Sequence, residues 1–246
     1  MDIYFSGDGY SNALLCEYIR DICVLRSFFY EKAKKDKGVP YHKAKKYMLD
    51  SGAFTFLKKN CTVDWDRYVC ELAEYINTYD IQHFFELDID SIIGLDAVEK
   101  LRTKLECRTG KQAIPVWHYN RGKQYYLDMC KNYPYVALGG IVSKDIPLKE
   151  YQKAFPYFIR TAHEHGAKIH GLGYTKVANL KLYRFDSVDS SSWWGGSIGG
   201  YLHIFSTASG TFRQVSRDGC RIKTVPVAKH NLSEWVKFSK YAEKYL

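Results

Sequence analysis

Three apolar runs in this chain end in carboxylates. KYMLDSGAF carries Asp50, FFELDID carries Asp88 and Asp90, and FDSVDSSSW carries Asp186 and Asp189, each beside small residues. A strand that stops on an acid and hands over to Ser or Gly leaves the carboxyl at a strand-to-loop junction, with room beside it for a ligand. Opposed carboxylates suit glycosidic-bond chemistry, in which one attacks the anomeric carbon and the other manages the leaving group's proton. An oxygen-rich set of this kind also suits a divalent cation, so the constellation alone leaves both readings open. Each acid has a plainer role as a helix cap, and Asp90, followed by Ser91 and a helical stretch from Ile92, fits that role best. Asp50, Asp88 and Asp189 taken together point to function.

Positioning these acids is the task of the elements around them. Strand-sized runs recur at 3–6, 46–49, 83–87, 113–117, 135–138, 168–171 and 185–188, with helical stretches at 11–30, 64–77, 92–107, 122–132, 148–165 and 176–182 between them. In the second stretch Val69, Leu72, Ala73 and Ile76 recur at helical spacing after Asp64, and Gly166 ends the fifth. Such alternation predicts parallel strands joined by crossover helices. Seven units within about 190 residues favour a (β/α)8 TIM-type barrel over an open doubly wound sheet. Residues 201–215, where YLHIF and TFRQV flank STASG, predict a β-hairpin inserted after strand 7. A weak eighth strand at 224–227 and an amphipathic helix at 233–245 complete one domain over residues 1–246, with no repeat or linker to mark a second.

DSGAF at 50–54 resembles the DSGGF or DSGGY signature of the tRNA-guanine transglycosylase superfamily, (β/α) barrel enzymes that exchange guanine for a 7-deazaguanine in nucleic acid. The resemblance continues in order through VALGGI at 136–141, HGLGYT at 170–175, FDSVDSSSW at 185–193 and the hairpin, covering about residues 46–216. It implies Asp189 as the nucleophile, because its distance from Thr175 fits the family better than that of Asp186, and Asp50 as the general acid/base. Asp88 would read the guanine edge, where an ionised carboxylate accepts from N1–H and the 2-amino group. Phe54 would stack on the base, and Gly139 and Gly140 would bring backbone groups to it. IPVWH at 114–118 stands where relatives often place a base-contacting glutamine, so Trp117 and His118 are candidates for that contact. His170 stands under the expected base position and is a further candidate.

The family's tRNA enzymes carry a CxCxxC zinc motif, and this sequence has none; Cys220 stands alone after the hairpin. No zinc or other cofactor is expected. A compact, zinc-free version with PVWH, HGLGYT and SVDSSSW is most similar to the phage and bacterial DNA transglycosylases. DNA is therefore the expected polymer and a free 7-deazaguanine base the co-substrate. A tRNA enzyme without its zinc module and a catalytically silent nucleic-acid-binding barrel are the alternatives.

Composition agrees with a nucleic-acid partner without choosing it. Lys plus Arg number 36 against 27 Asp plus Glu, a formal charge of +9, and 46% of residues are hydrophobic. That excludes a largely disordered or collagen-like chain. No apolar run reaches the ~20 residues of a membrane span, and the N-terminal MDIYFSGDGY lacks a signal peptide's basic start and long apolar stretch. The 7 cysteines are widely spaced and odd in number, which points to reduced thiols and a cytoplasmic location. Ser51, Ser190, Lys45, Lys46, Arg213 and Arg217 are the candidates for the nucleic-acid backbone, with Lys43, Arg221, Ser191 and Trp193 near them in sequence. His163 and His165, two apart at a helix end, do not share a face and are read as surface residues rather than metal ligands.

Overall fold

The computed structural model describes residues 1–7, 14–33, 43–52, 55–56, 63–216 and 224–246. Phe54, Arg217 and Arg221 lie outside the described residues. Seven parallel strands form one sheet: β1 (Asp2–Phe5), β2 (Cys23–Ser27), β3 (Lys46–Asp50), β4 (Val116–Trp117), β5 (Tyr135–Leu138), β6 (Lys168–Gly171) and β7 (Ser187–Ser190). Their spatial order is β3-β2-β1-β7-β6-β5-β4. The intervening helices are α1 (Phe28–Ala33), α2 (Trp65–Thr78), α3 (Asp90–Ile93), α4 (Leu95–Thr109), α5 (Gly122–Asn132), α6 (Leu148–Glu164) and α7 (Val177–Leu180). After β7 come α8 (Ser192–Gly199), the antiparallel pair β8 (Tyr201–Ser206) and β9 (Thr211–Ser216), and α9 (Thr224–Tyr245).

The sheet curls until its edge strands flank a common segment. Leu49 of β3 pairs with Phe84, and Phe85 pairs with Ile114, each through an isolated parallel bridge. This corrects the expected eight-stranded barrel: the regular sheet is a curled half-barrel of seven strands, and residues 83–87 do not form a strand. The ladder there stops for a local reason: the Val116 amide is taken by the buried Glu86 carboxylate at 2.8 Å rather than by a backbone carbonyl.

A second correction concerns β2, which lies inside the stretch read as a helix over 11–30. Cys23, Val24, Leu25 and Arg26 are all buried between β1 and β3. A strand covered on both faces loses the alternation that would distinguish it from a buried helix. The third is the proposed strand at 224–227, which is the first turn of α9. Pro226 is tolerated there, and Val227, Ala228, Leu232, Trp235, Phe238 and Ala242 form one buried stripe. The Asp64 start stands as expected, since its carboxylate caps α2 by accepting from the Arg67 amide at 3.0 Å.

Alternation along the strands sorts the core. Tyr4, Cys23, Leu25, Met48, Phe85, Ile114, Val116 and Ala137 pack together inside the curl, while Phe5, Val24, Val136, Leu138, Ile169 and Val188 face the helices. The hairpin follows β7 as expected and lies on α9. Phe212 stacks on Trp235 with ring centres 4.9 Å apart, and Asn231 and Glu234 of the helix accept from the His203 and Phe205 amides. Among the described residues no helix is long and apolar enough to cross a membrane.

Candidate active site

Because every strand runs the same way, the carboxyl ends of β1, β3 and β7 share one rim. Asp50 closes β3, Asp189 is the third residue of β7, and Ser6 follows β1. Asp186, by contrast, precedes β7 and sits at the other end, accepting from the Ile169 amide at 2.8 Å and pairing with His163 at 3.0 Å. Of the two acids in FDSVD, only Asp189 reaches the rim.

Asp189 is held by three partners. Its Oδ1 accepts from the Gly173 amide at 2.5 Å and lies 3.3 Å from Nε2 of His170; its Oδ2 accepts from the Ser6 hydroxyl at 3.2 Å. Ser6 is fixed in turn, because its carbonyl accepts from the indole of the fully buried Trp193 at 2.9 Å. Trp193 therefore braces the site from behind and has no exposed surface for a sugar-phosphate.

Asp50 is a different kind of carboxyl. Burial, followed by the negative charge of Asp88, pushes it from the ordinary 3.8 to about 7, with a smaller contribution from Asp189. The Gly52 amide at 3.0 Å and the neighbouring Ser27 hydroxyl oppose that shift without cancelling it. Gly52 is required by its backbone: φ is +86°, and a Cβ there would lie 2.5 Å from that of Phe29. The coupling of Asp50 to both Asp88 and Asp189 brings the three expected acids around one mouth.

Asp88 belongs to a clamp. His118 Nε2 lies 3.0 Å from Asp88 and Nδ1 lies 3.0 Å from Asp145. Burial works against the charged ring, but the two carboxylates outweigh it and raise His118 to about 10, so it is an imidazolium at neutral pH. The same contact with His118 holds Asp145 below its ordinary value. Both His118 nitrogens are thus engaged by protein, and the residue orients Asp88. The glycines expected at the base serve this clamp: a Cβ on Gly139 would lie 2.7 Å from the His118 ring, and one on Gly140, at φ +76°, would overlap Asp145 and Tyr151.

Several expectations are corrected by these placements. Trp117 points outward, donating to the Gly122 carbonyl at 2.7 Å and packing on Phe158 at 4.5 Å, so it does not face the mouth. His170 is fully buried between Tyr4 and Phe85 and presents no surface to a base. Ser51 is 1% exposed and Ser190 2%, with the Ser190 hydroxyl donating to Thr175 at 3.1 Å; neither is open to a phosphate. Lys45 and Lys46 stand at the start of β3, paired with Glu243 and Asp2. At ~3.3 Å per residue the length of β3 separates Lys46 from the rim. Arg213 is exposed on β9. Asp90 is not a cap: it binds Arg121 at 3.1 Å and Asn120 at 2.8 Å, within a buried network that joins Arg121 to Glu86.

Sequence reading missed Asp145, Ser6 and the Gly173 amide. Asp145 and Gly173 lie in loops that follow the carboxyl ends of β5 and β6, which is the one signal that marks them. Among the described residues, one group has atoms close enough to ligate a metal, namely Asp2, Cys23 and Glu243. It sits at the amino ends of the strands, where Lys46 and Lys45 already pair with its acids. Neither the models of known protein families nor the curated proteins include a match to this chain.

Proposed function

We propose that the chain is a DNA-guanine transglycosylase, exchanging guanine in DNA for a free 7-deazaguanine through a covalent aspartyl-glycosyl intermediate. The observation that carries the reading is the division between two carboxyls on one rim. Asp50 keeps its proton to about pH 7, whereas Asp189 accepts from three hydrogen-bond partners among the described residues, two on Oδ1 and one on Oδ2. Pairs of carboxyls in such unequal environments divide the acid and nucleophile roles.

In the first displacement Asp189 attacks C1′ of the deoxyguanosine, the C1′–N9 bond breaks, and its electron pair takes the Asp50 proton at N9 of the departing guanine. In the second, N9 of the incoming base attacks C1′ and returns its proton to Asp50, and the ester bond to Asp189 breaks. Two inversions give net retention. Asp88, oriented by His118, accepts from the base edge. Neither displacement calls for a cofactor.

In this reading residues 84–85 act as an irregular eighth stave of a barrel, supported by the bridges to Leu49 and Ile114. DNA must present a flipped or unpaired nucleotide, because C1′ and N9 are otherwise enclosed in the duplex. With Lys45 and Lys46 at the far end, exposed Lys144 and Lys176, in the loops after β5 and β6, and Arg213 take over as phosphate contacts. Among the described residues the free thiols of Cys23, Cys70, Cys107 and Cys130 suit a reducing cytoplasm.

The test is co-expression with a 7-deazaguanine source, followed by nucleoside mass spectrometry of DNA and tRNA separately. Modified deoxynucleosides with wild type, and none with Asp189→Ala, are expected. Modified ribonucleosides alone would reassign the polymer to tRNA, and exchange at the wild-type rate in Asp189→Ala would remove the nucleophile.

A further inference from the structure

A column of polar side chains runs through the otherwise apolar interior of the curl and ends on the proposed nucleophile. Tyr135 of β5 places its hydroxyl 2.5 Å from that of Ser187, Ser187 lies 2.5 Å from Nδ1 of His170, and Nε2 of His170 lies 3.3 Å from Asp189 Oδ1. Ser187 and His170 are fully buried. Polar groups in such surroundings persist only when their hydrogen bonds are complete.

The direction of the column follows from its upper end. A carboxylate only accepts, so His170 must carry its proton on Nε2. In the neutral ring Nδ1 is then an acceptor, Ser187 its donor, and Tyr135 the donor to Ser187. Each hydroxyl has one proton and one acceptor, and no hydrogen is left unused. Burial raises the Tyr135 hydroxyl well above its ordinary value, which keeps it a donor.

The two oxygens of Asp189 are consequently unequal. Among the described residues Oδ1 takes two N–H donors, from Gly173 and His170, while Oδ2 takes only the Ser6 hydroxyl. Resting on the transglycosylase reading, we propose that Asp189 attacks C1′ through Oδ2, that Oδ1 becomes the ester carbonyl held by His170 and Gly173, and that Tyr135 and Ser187 are positioning residues that lock His170 as the donor. When the second base arrives, the C1′–Oδ2 bond breaks and its electron pair returns to the carboxylate. The two N–H donors stabilise the charge that develops on Oδ1 as that bond breaks, as an oxyanion hole does for acyl transfer. The column therefore acts chiefly on release of the intermediate.

The experiment compares wild type, Ser187→Ala, Ser187→Thr and His170→Phe, the last of which fills the same space between Tyr4 and Phe85 without a donor. Initial rates are measured with guanine-containing DNA and 7-deazaguanine base, and the covalent DNA–protein adduct is quantified on denaturing gels. Expected are a roughly 10- to 100-fold fall in kcat for Ser187→Ala and His170→Phe, a KM for DNA that falls with it so that kcat/KM for DNA is unchanged, and a larger fraction of enzyme trapped as adduct. Ser187→Thr, which keeps the hydroxyl, restores both. A fall in kcat with less adduct, or an unchanged kcat in folded variants, overturns the role in release. Nitrogen-15 NMR of the His170 ring reads the column without any activity: protonated Nε2 and bare Nδ1 are expected, and a protonated Nδ1 in wild type overturns the relay. A wild type that forms neither product nor adduct, yet has the expected tautomer, overturns the transglycosylase reading and the kinetic half of the proposal while the relay stands.

Discussion

Replacing Asp50 by Asn should stabilise the protein in alkaline solution while abolishing exchange. The carboxyl moves from 3.8 to about 7 on folding, because burial and the charge of Asp88 disfavour its ionised form. Between those values the folded protein keeps a proton that the unfolded chain has released, so stability falls as pH rises through the window. At 1.36 kcal/mol per pKa unit the full penalty above pH 7 is about 4 kcal/mol. Asp50 retains some contact with solvent at the mouth, which reduces this to about 2–4 kcal/mol. The carboxamide introduced by Asp50→Asn can still accept from the Gly52 amide and carries no charge toward Asp88. Urea unfolding of both proteins at pH 4, 6 and 8 isolates the effect, since titrations common to both cancel in the difference. The variant should match wild type near pH 4 and exceed it by about 2–4 kcal/mol at pH 8. A difference that stays flat with pH would mean that Asp50 is an ordinary carboxylate, and its role as the acid would fall with it.

The His118 clamp makes the opposite kind of prediction. With the folded ring raised from 6.5 to about 10, the clamp's contribution is complete below about 6.5 and disappears as pH rises through about 10. The destabilisation caused by His118→Gln, followed by urea unfolding, should therefore shrink over that range. Gly140→Ala forces a Cβ into the left-handed region and against Asp145 and Tyr151; a loss of at least about 1–2 kcal/mol is expected, together with a raised KM for the incoming base as Asp88 loses its support. Lys46→Ala removes a half-exposed pair with Asp2, should cost no more than about 1 kcal/mol, and should leave DNA affinity unchanged. Lys144→Ala and Lys176→Ala should each lower the slope of log affinity against log salt by roughly one, as read by fluorescence anisotropy.

Some of this protein is legible in one dimension. The alternation of strand-sized and helix-sized runs announces an α/β chain, because period and length are local properties. It also placed α5, β5, β6 and the hairpin closely, and Asp50, Asp88 and Asp189 stand out as acids at strand ends without any knowledge of contacts. What the order of residues does not carry is direction in space. Trp117 and His118 are neighbours in sequence, yet one faces the helices and the other binds Asp88, since successive side chains of a strand point to opposite faces. Lys46 and Asp50 share β3 but lie at opposite ends of it. The buried strand β2 looks like a helix until the tertiary structure covers both its faces, Cys23 and Leu25 inside the curl and Val24 against the helix-side core, and the ladder at 84–85 ends because the side chain of Glu86 takes a backbone N–H. Asp145, Ser6, Ser187 and Tyr135 are ordinary residues by type and spacing. Only the curl of the sheet brings them to His118, Asp189 and His170, because hydrogen bonds between residues far apart in the chain are settled by packing and not by local propensity.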